Sequence, residues 1–241
     1  MKNTLFLVLF IFFAVSCDKI EDLLPNGLTE AETIEGLKSA LTIGTDTAVF
    51  QTHRVDGFYH DAAIKILMPP DASVIAENIS YVPGGAALLE EVVLLMNRAA
   101  EDAAGSAVPV FRSAITGMTV SDAYGILTGN DTAATHYLRE KTYGSLKTAF
   151  MPIVTSSLNK ELIPGVSPNE AWNDLITEYN AVANSLVGQL AGLTPVNTQL
   201  DTWVTQQALN GLFMKISDEE RAIRNDPVAR VNAILRKVFG S

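Results

Sequence analysis

The chain has 241 residues, a formal net charge of −10 and a single cysteine. This acidic balance argues against nucleic acid as a partner, because phosphate contacts require clustered Lys and Arg side chains, and against electrostatic attachment to anionic lipid. The length suits one domain or a compact pair, with a core large enough to fold without disulfides.

The first 17 residues have the order of a secretory signal: Lys2, an apolar run from Leu5 to Val15, small Ser16 and then Cys17. The apolar run is shorter than the roughly 20 residues that a membrane-spanning helix needs. A plain cleaved signal remains an alternative, but a lone cysteine has no disulfide partner in an oxidising compartment. The segment resembles a bacterial lipoprotein signal. This resemblance implies a signal peptide at 1–16, lipidation of Cys17 and a tether over 17–28.

Residues 29–241 predict one all-α domain of about eight to ten helices. The first helix begins at Thr29, which forms a capping box with Glu32. Gly44 is predicted to end this helix, and a second short helix is predicted from Thr47 to Arg54. Because Asp56-Gly57 favours a turn and Pro69-Pro70 excludes helix, residues 55–72 are predicted to be an extended connector. A short β-like patch near residues 63–67 is an option within it.

The strongest helical pattern follows Pro83-Gly84-Gly85, where apolar residues recur every three or four positions as far as Ile115. Pro109 would clash with the preceding turn, so a kink or break is predicted around Gly105. Six further helices are predicted. In chain order, the first is capped by Thr119 and Asp122 and ends at Gly129, the second runs from Asn130 or Asp131 toward Lys160, and the third begins at Ser167-Pro168. The fourth runs from Leu200 to Ile216, the fifth begins with a second capping box at Ser217–Glu220, and the last begins at Pro227.

Two patterns could hold a metal or a catalytic group. His53, Asp56 and His60 are close in sequence and are proper metal ligands, but Gly57 disrupts the helix that would align them. No metal site is therefore predicted, and no cofactor fingerprint is found. Ser157 and Lys160 match the Ser-x-x-Lys pattern of acyl-transfer enzymes, whose other elements are absent from the sequence.

Asn97, Arg98 and Glu101 form the best candidate cluster, because helical spacing places them on one face. In a cleft, Glu101 would be a general acid or base, Arg98 would orient an anionic substrate, and Asn97 would donate a hydrogen bond. Asp122 and Tyr137 would be neighbours if their helices fold together. The alternative is a solvated helix face with local ion pairs. Capping also explains Asp122, and the same holds for Glu220.

Several segments together resemble one family of exported bacterial proteins, the domain-of-unknown-function family 4197. The segments are Glu35–Leu41, Asp56-Gly57-Phe58-Tyr59, Met96–Glu101, Met118–Ala123, Ile126–Gly129, Ala134–Leu138, Ala208–Phe213, Glu219–Pro227 and Leu235–Gly240. The resemblance spans about residues 33–240. It implies export and a single domain, and it assigns no activity or catalytic residue.

These observations lead to two functional hypotheses. The first is a non-catalytic protein of the bacterial cell envelope, anchored by lipid on Cys17 to the periplasmic or outer-membrane face. It would bind another envelope protein or a small apolar ligand between helices, and no nucleic acid. The alternative is an envelope hydrolase that uses the carboxylate–Arg cluster.

Overall fold

The computed structural model describes residues 28–73, 85–161, 167–190 and 192–240. Within these ranges the chain forms nine α-helices and no strand, so the all-α prediction is confirmed. The helices are α1 (Glu30–His53), α2 (Gly85–Ala104), α3 (Ala107–Thr116), α4 (Val120–Leu127), α5 (Ala133–Leu158), α6 (Pro168–Ala183), α7 (Leu186–Leu190), α8 (Leu200–Asn225) and α9 (Ala233–Phe239), with 3₁₀ turns at Pro70–Ala72 and Pro227–Ala229. The predicted signal and tether up to residue 27 lie outside the described residues.

The two longest helices, α5 and α8, pack against each other and organise the body. α8 also packs on α1 and α2, α5 also packs on α2 and α3, and α1 packs on α3 and α9. Phe111 and Phe213 meet edge to face in the core, with ring centroids 5.9 Å apart, and Phe58 and Phe150 are fully buried beside them. Such aromatic contacts add to the free energy of burial because the ring edge and face carry opposite partial charges.

Local capping chemistry sets several helix starts as predicted. The side-chain oxygen of Thr29 accepts the amide of Glu32, and Thr119 forms the same reciprocal capping box with Asp122. The chain also breaks between Ala104 and Ala107, ahead of Pro109. These predictions are confirmed because each depends on residues within one turn of the helix end.

Several sequence predictions are wrong, among them the cap of α5 at Asn130 or Asp131, since its N-cap residue is Thr132. Long-range packing explains two of the others. Gly44 does not end a helix: α1 continues to His53 and contains the predicted segment from Thr47. A Cβ at Gly44 would contact Glu219 at 3.7 Å, so the glycine lies where α8 approaches α1. Ser217 and Glu220 lie inside α8 rather than at a helix start, and both are buried. The last helix begins at Ala233 after an Asn232 cap, whereas Pro227 opens a 3₁₀ turn.

The connector after α1 contains turns and no strand at residues 63–67. Its path is irregular, so its backbone polar groups need partners other than a strand ladder. Turns within the connector supply some of these partners, Trp203 of α8 supplies one, and side chains of α2 supply others, as described below. None of the described helices combines the length and the apolar character that crossing a bilayer requires.

Candidate functional site

The predicted cluster on α2 is buried against the connector and is not a solvated face. Asn97 is 0% exposed and Glu101 is 3% exposed, while the Arg98 side chain keeps 32% of its surface. Burial of a carboxylate is costly unless each of its oxygens finds a donor. The partners of these side chains therefore decide what the cluster does.

Both oxygens of Glu101 are occupied. Oε1 accepts the backbone amides of Phe58 and Tyr59 at 3.1 and 3.3 Å, and Oε2 accepts Nη1 of Arg98 at 2.6 Å. Nη2 of Arg98 donates to Asp56 at 2.6 Å. Burial lowers the pKa of Arg98, but the hydrogen bonds to Glu101 and Asp56 outweigh this effect and raise the pKa overall.

Asn97 holds the other end of the connector. Its Oδ1 accepts the amide of Ile66 at 2.8 Å, and its Nδ2 donates to the carbonyls of Ile66 and Val93 at 2.9 and 2.7 Å. The side-chain amide thus pairs with Ile66 as a neighbouring strand would. Asn97 and Glu101 together pair three backbone amides and one carbonyl of a segment that forms no ladder of its own.

The turn that delivers Phe58 and Tyr59 to Glu101 depends on two backbone positions. Asp56 has a φ of 66°, in the left-handed region that Asp tolerates better than most residues. At Gly57 a Cβ would lie 2.4 Å from the carbonyl oxygen of Gln51, so only glycine fits. The sequence Asp-Gly-Phe-Tyr therefore has a structural role in this fold.

A second buried carboxylate repeats this arrangement on α8. Glu220 accepts the amides of Ala134 and Thr135 at 3.0 and 2.8 Å and the Thr135 hydroxyl at 2.8 Å, and it pairs with Arg224 at 3.0 Å. The N-cap residue of α5, Thr132, makes no side-chain capping bond. Glu220 therefore caps α5 from another helix. The dipole of α5 also stabilises a negative charge at this N-terminus.

Of the residues considered for a metal, His53 and Asp56 contact α2, and His60 contacts Asp56. Nδ1 of His53 lies 2.7 Å from the carbonyl oxygen of Glu101, and Nδ1 of His60 lies 3.5 Å from Asp56. In the part of the chain that the structure describes, no group of three or more His, Cys, Asp or Glu side chains is arranged to hold a metal ion.

Asp122 and Tyr137 lie together in a cleft of about 630 Å³ between α3 and α5, which residues at the start of α4 also line. We call this the α3–α5 cleft. The residues that line it are Pro109, Val110, Ser113, Ala114, Gly117, Thr119, Asp122, Tyr137, Lys141, Thr142 and Ser145. On α3 and α5 they recur at a helical spacing of one and four residues, so each helix contributes one face.

The charged groups of the α3–α5 cleft have opposite signs. Hydrogen bonds from Thr119 to Oδ2 of Asp122, at 2.7 and 3.0 Å, lower the pKa of that carboxyl group, and nearby Lys141 lowers it further. Burial, with a smaller effect of Asp122, raises the pKa of Tyr137. The Lys141 ammonium group lies 5.7 Å from the centroid of the Tyr137 ring. The cleft therefore brings together a carboxyl group with a lowered pKa, a lysine side chain and a phenol with a raised pKa.

The structure thus divides the five predicted site residues into two groups. Asn97, Arg98 and Glu101 form hydrogen bonds within their own helix, α2, and with residues 56–66 of the connector. Asp122 and Tyr137 share the cleft with Lys141, which the sequence analysis missed. The only sequence signal for Lys141 is its position four residues after Tyr137 on the same helix.

An apolar cavity between α1, α8 and α9 has a volume of only about 30 Å³. Leu37, Ile216, Ile223 and Phe239 are among the residues that line it. A space of this size holds about one water molecule.

Comparisons with known proteins place the chain at the level of a family. No curated protein matches the sequence, and no solved structure matches it. The family model described as "Protein of unknown function (DUF4197)" matches residues 27–240, and the chain belongs to this family.

Proposed function

We propose that the chain is a non-catalytic protein of the bacterial cell envelope that is anchored by lipid on Cys17 and binds a small zwitterion in the α3–α5 cleft. The observation that carries the binding proposal is the pair of opposite charges, Asp122 and Lys141, in a cleft of about 630 Å³. Free amino acids and short peptides are the ligand class that fits.

The arrangement of charge favours a ligand that carries both signs. Lys141 contacts the Tyr137 ring, and within the described residues neither it nor Asp122 belongs to an ion pair. A simple anion would be repelled by Asp122 and by a net charge of −10. A simple cation would pair with Asp122 but would leave Lys141 without a partner. A zwitterion satisfies both groups at once.

The size and lining of the cleft support a small polar ligand over an apolar one. Ligand pockets usually enclose about 300 to 1,000 Å³ and combine apolar walls with a few polar groups. Here Val110 and Ala114 supply apolar surface, and Ser113, Tyr137 and Ser145 supply hydroxyl groups. The apolar cavity of about 30 Å³ has no room for a ligand of this kind.

The contacts of Glu101 weigh against the alternative of an envelope hydrolase. A general acid or base must exchange a proton with a substrate, but Glu101 accepts two backbone amides and one guanidinium group. A structural role explains all of these contacts. The proposed anchor is supported by the order of residues in the signal segment, because one small residue, Ser16, separates Cys17 from the apolar run.

Calorimetric titration with the free amino acids and a panel of unmodified dipeptides tests the binding proposal. At least one of these probes should bind saturably, and Lys141→Ala should weaken that binding at least tenfold. Lys147→Ala is the matched control, because Lys147 is exposed on the same helix and does not line the cleft, and it should change the Kd less than twofold. If no probe binds saturably, or if the Lys141 variant binds as tightly as the control, the proposal fails.

The anchor is tested separately by detergent phase partitioning of the expressed full chain. The natural sequence should enter the detergent phase, and Cys17→Ser should move it to the aqueous phase. Unchanged partitioning of the variant would contradict lipidation.

A further inference from the structure

Three large apolar side chains project from the short helix α7 into solvent. Leu186, Val187 and Leu190 are 74, 75 and 81% exposed, which makes them some of the most exposed apolar residues that the structure describes. Their spacing of one and four residues puts them on one side of the helix. We call these three side chains the α7 patch.

The α7 patch lies in a long stretch without charge. Residues 179–200 contain no Asp, Glu, Lys, Arg or His, although 18% of the whole chain is charged. The whole chain has a net charge of −10, so this uncharged stretch differs from the acidic remainder of the chain.

Hydrogen bonds fix the part of this uncharged stretch that follows α7. The Asn180 side chain pairs with the amide and carbonyl of Val196, at 2.8 and 2.7 Å, and Nε1 of Trp172 donates to the carbonyl of Thr198 at 2.8 Å. The segment that follows α7 is thereby fixed to α6. These contacts pair backbone groups of Val196 and Thr198, whereas the apolar side chains of the α7 patch remain exposed.

We propose that the α7 patch rests on the lipid bilayer to which the chain is tethered. The inference depends on the lipid anchor proposed above. An anionic headgroup layer repels an acidic protein surface, so an uncharged segment is the part that can approach the membrane without this cost. Apolar side chains of Leu and Val gain free energy at the boundary between headgroups and acyl chains.

The small area of the α7 patch favours a membrane over a second copy of the chain or another protein. Three side chains expose an area on the order of a few hundred Å², whereas a stable protein interface buries about 800 Å² per partner. A tethered domain needs no stable interface of its own, because the tether keeps it at a high local concentration beside the bilayer.

Site-specific photo-crosslinking in cells tests the proposal on the full chain with its own signal segment. A diazirine amino acid replaces Leu190 in one variant and Val228 in the control, since Val228 is also exposed, at 85%, and lies in a different part of the molecule. Mass spectrometry of the irradiated protein should detect phospholipid adducts at position 190 at least tenfold more often than at position 228. Both variants should resist protease as the natural sequence does, because neither side chain is buried.

Each other outcome contradicts the proposal. Adducts to a second copy or to another protein at position 190, or equal lipid yields at the two positions, overturn it. Fractionation of the same cells separates this failure from a failure of the anchor. A membrane-bound chain without lipid adducts at position 190 refutes the contact of the α7 patch alone. A chain recovered in the soluble fraction refutes the anchor, and the contact falls with it.

Discussion

Replacement of Glu101 distinguishes a structural carboxylate from a catalytic one. Glu101→Ala removes the acceptor of the Phe58 and Tyr59 amides and leaves Arg98 with Asp56 as its remaining partner. Glu101→Gln keeps one oxygen acceptor and removes the negative charge. A catalytic carboxylate would tolerate the Gln substitution with little loss of stability, whereas a structural one would not.

The contacts set the expected size of the loss. A buried amide without an acceptor costs about 1–3 kcal/mol of stability. A hydrogen bond to a charged group contributes about 1 kcal/mol more to stability than a hydrogen bond between neutral groups. Arg98 retains a third of its surface, so solvent reduces the cost of its lost partner. We therefore expect a destabilisation of about 3–5 kcal/mol for Glu101→Ala and about 1–2 kcal/mol for Glu101→Gln.

Urea unfolding followed by far-ultraviolet circular dichroism measures both losses. Glu91→Ala is the matched control, because Glu91 is exposed on the same helix, and it should change stability by less than about 0.5 kcal/mol. For a chain of this length, the Glu101→Ala loss corresponds to a fall in Tm on the order of 10 °C. If Glu101→Ala is as stable as the control, Glu101 does not hold the connector and the structural interpretation is refuted.

Two further predictions concern the other carboxylates. Glu220→Ala should cost about 3–5 kcal/mol in the same assay, because it uncaps α5 and leaves Arg224 without its carboxylate; a loss below about 1 kcal/mol would contradict capping from α8. Asp122 has a folded-state pKa below the unfolded value of about 3.9, so its contribution to stability is complete above about pH 5 and is lost as the pH falls through the folded-state pKa. Asp122→Asn should therefore be less stable than the natural sequence at about pH 7. On acidification to about pH 3, the variant should lose less stability than the natural sequence does. Urea titrations of both proteins at the two pH values test this, and equal losses of stability would refute it.

Helix starts could be predicted from the sequence because their determinants are local. Thr29 and Thr119 each find their capping partner three residues on, and Pro109 breaks the preceding helix through its own ring. The same local pattern at Ser217 and Glu220 was misleading. In the fold, Glu220 bonds to residues 85 and 86 positions away, and nothing in the local sequence reports that partner.

The candidate site was only partly predictable for the same reason. Helical spacing placed Asn97, Arg98 and Glu101 on one face, and the structure agrees. It gave no sign that Glu101 would meet the amide of Phe58, which lies 43 residues earlier. The α3–α5 cleft requires the mutual placement of three helices, so Lys141 could not be separated from the other exposed lysines before the fold was known.

The most direct test of the proposed function is to map where a bound zwitterion contacts the protein. Amide chemical shifts are followed in the full chain while the tightest-binding dipeptide from the calorimetric panel is added. We predict saturable shifts at residues 109–122 and 137–145, which line the α3–α5 cleft, and unchanged shifts at residues 56–66 and 97–101. Shifts centred on Arg98 and Glu101, with the cleft unaffected, would contradict the proposal and return the carboxylate–Arg cluster to the centre of the function.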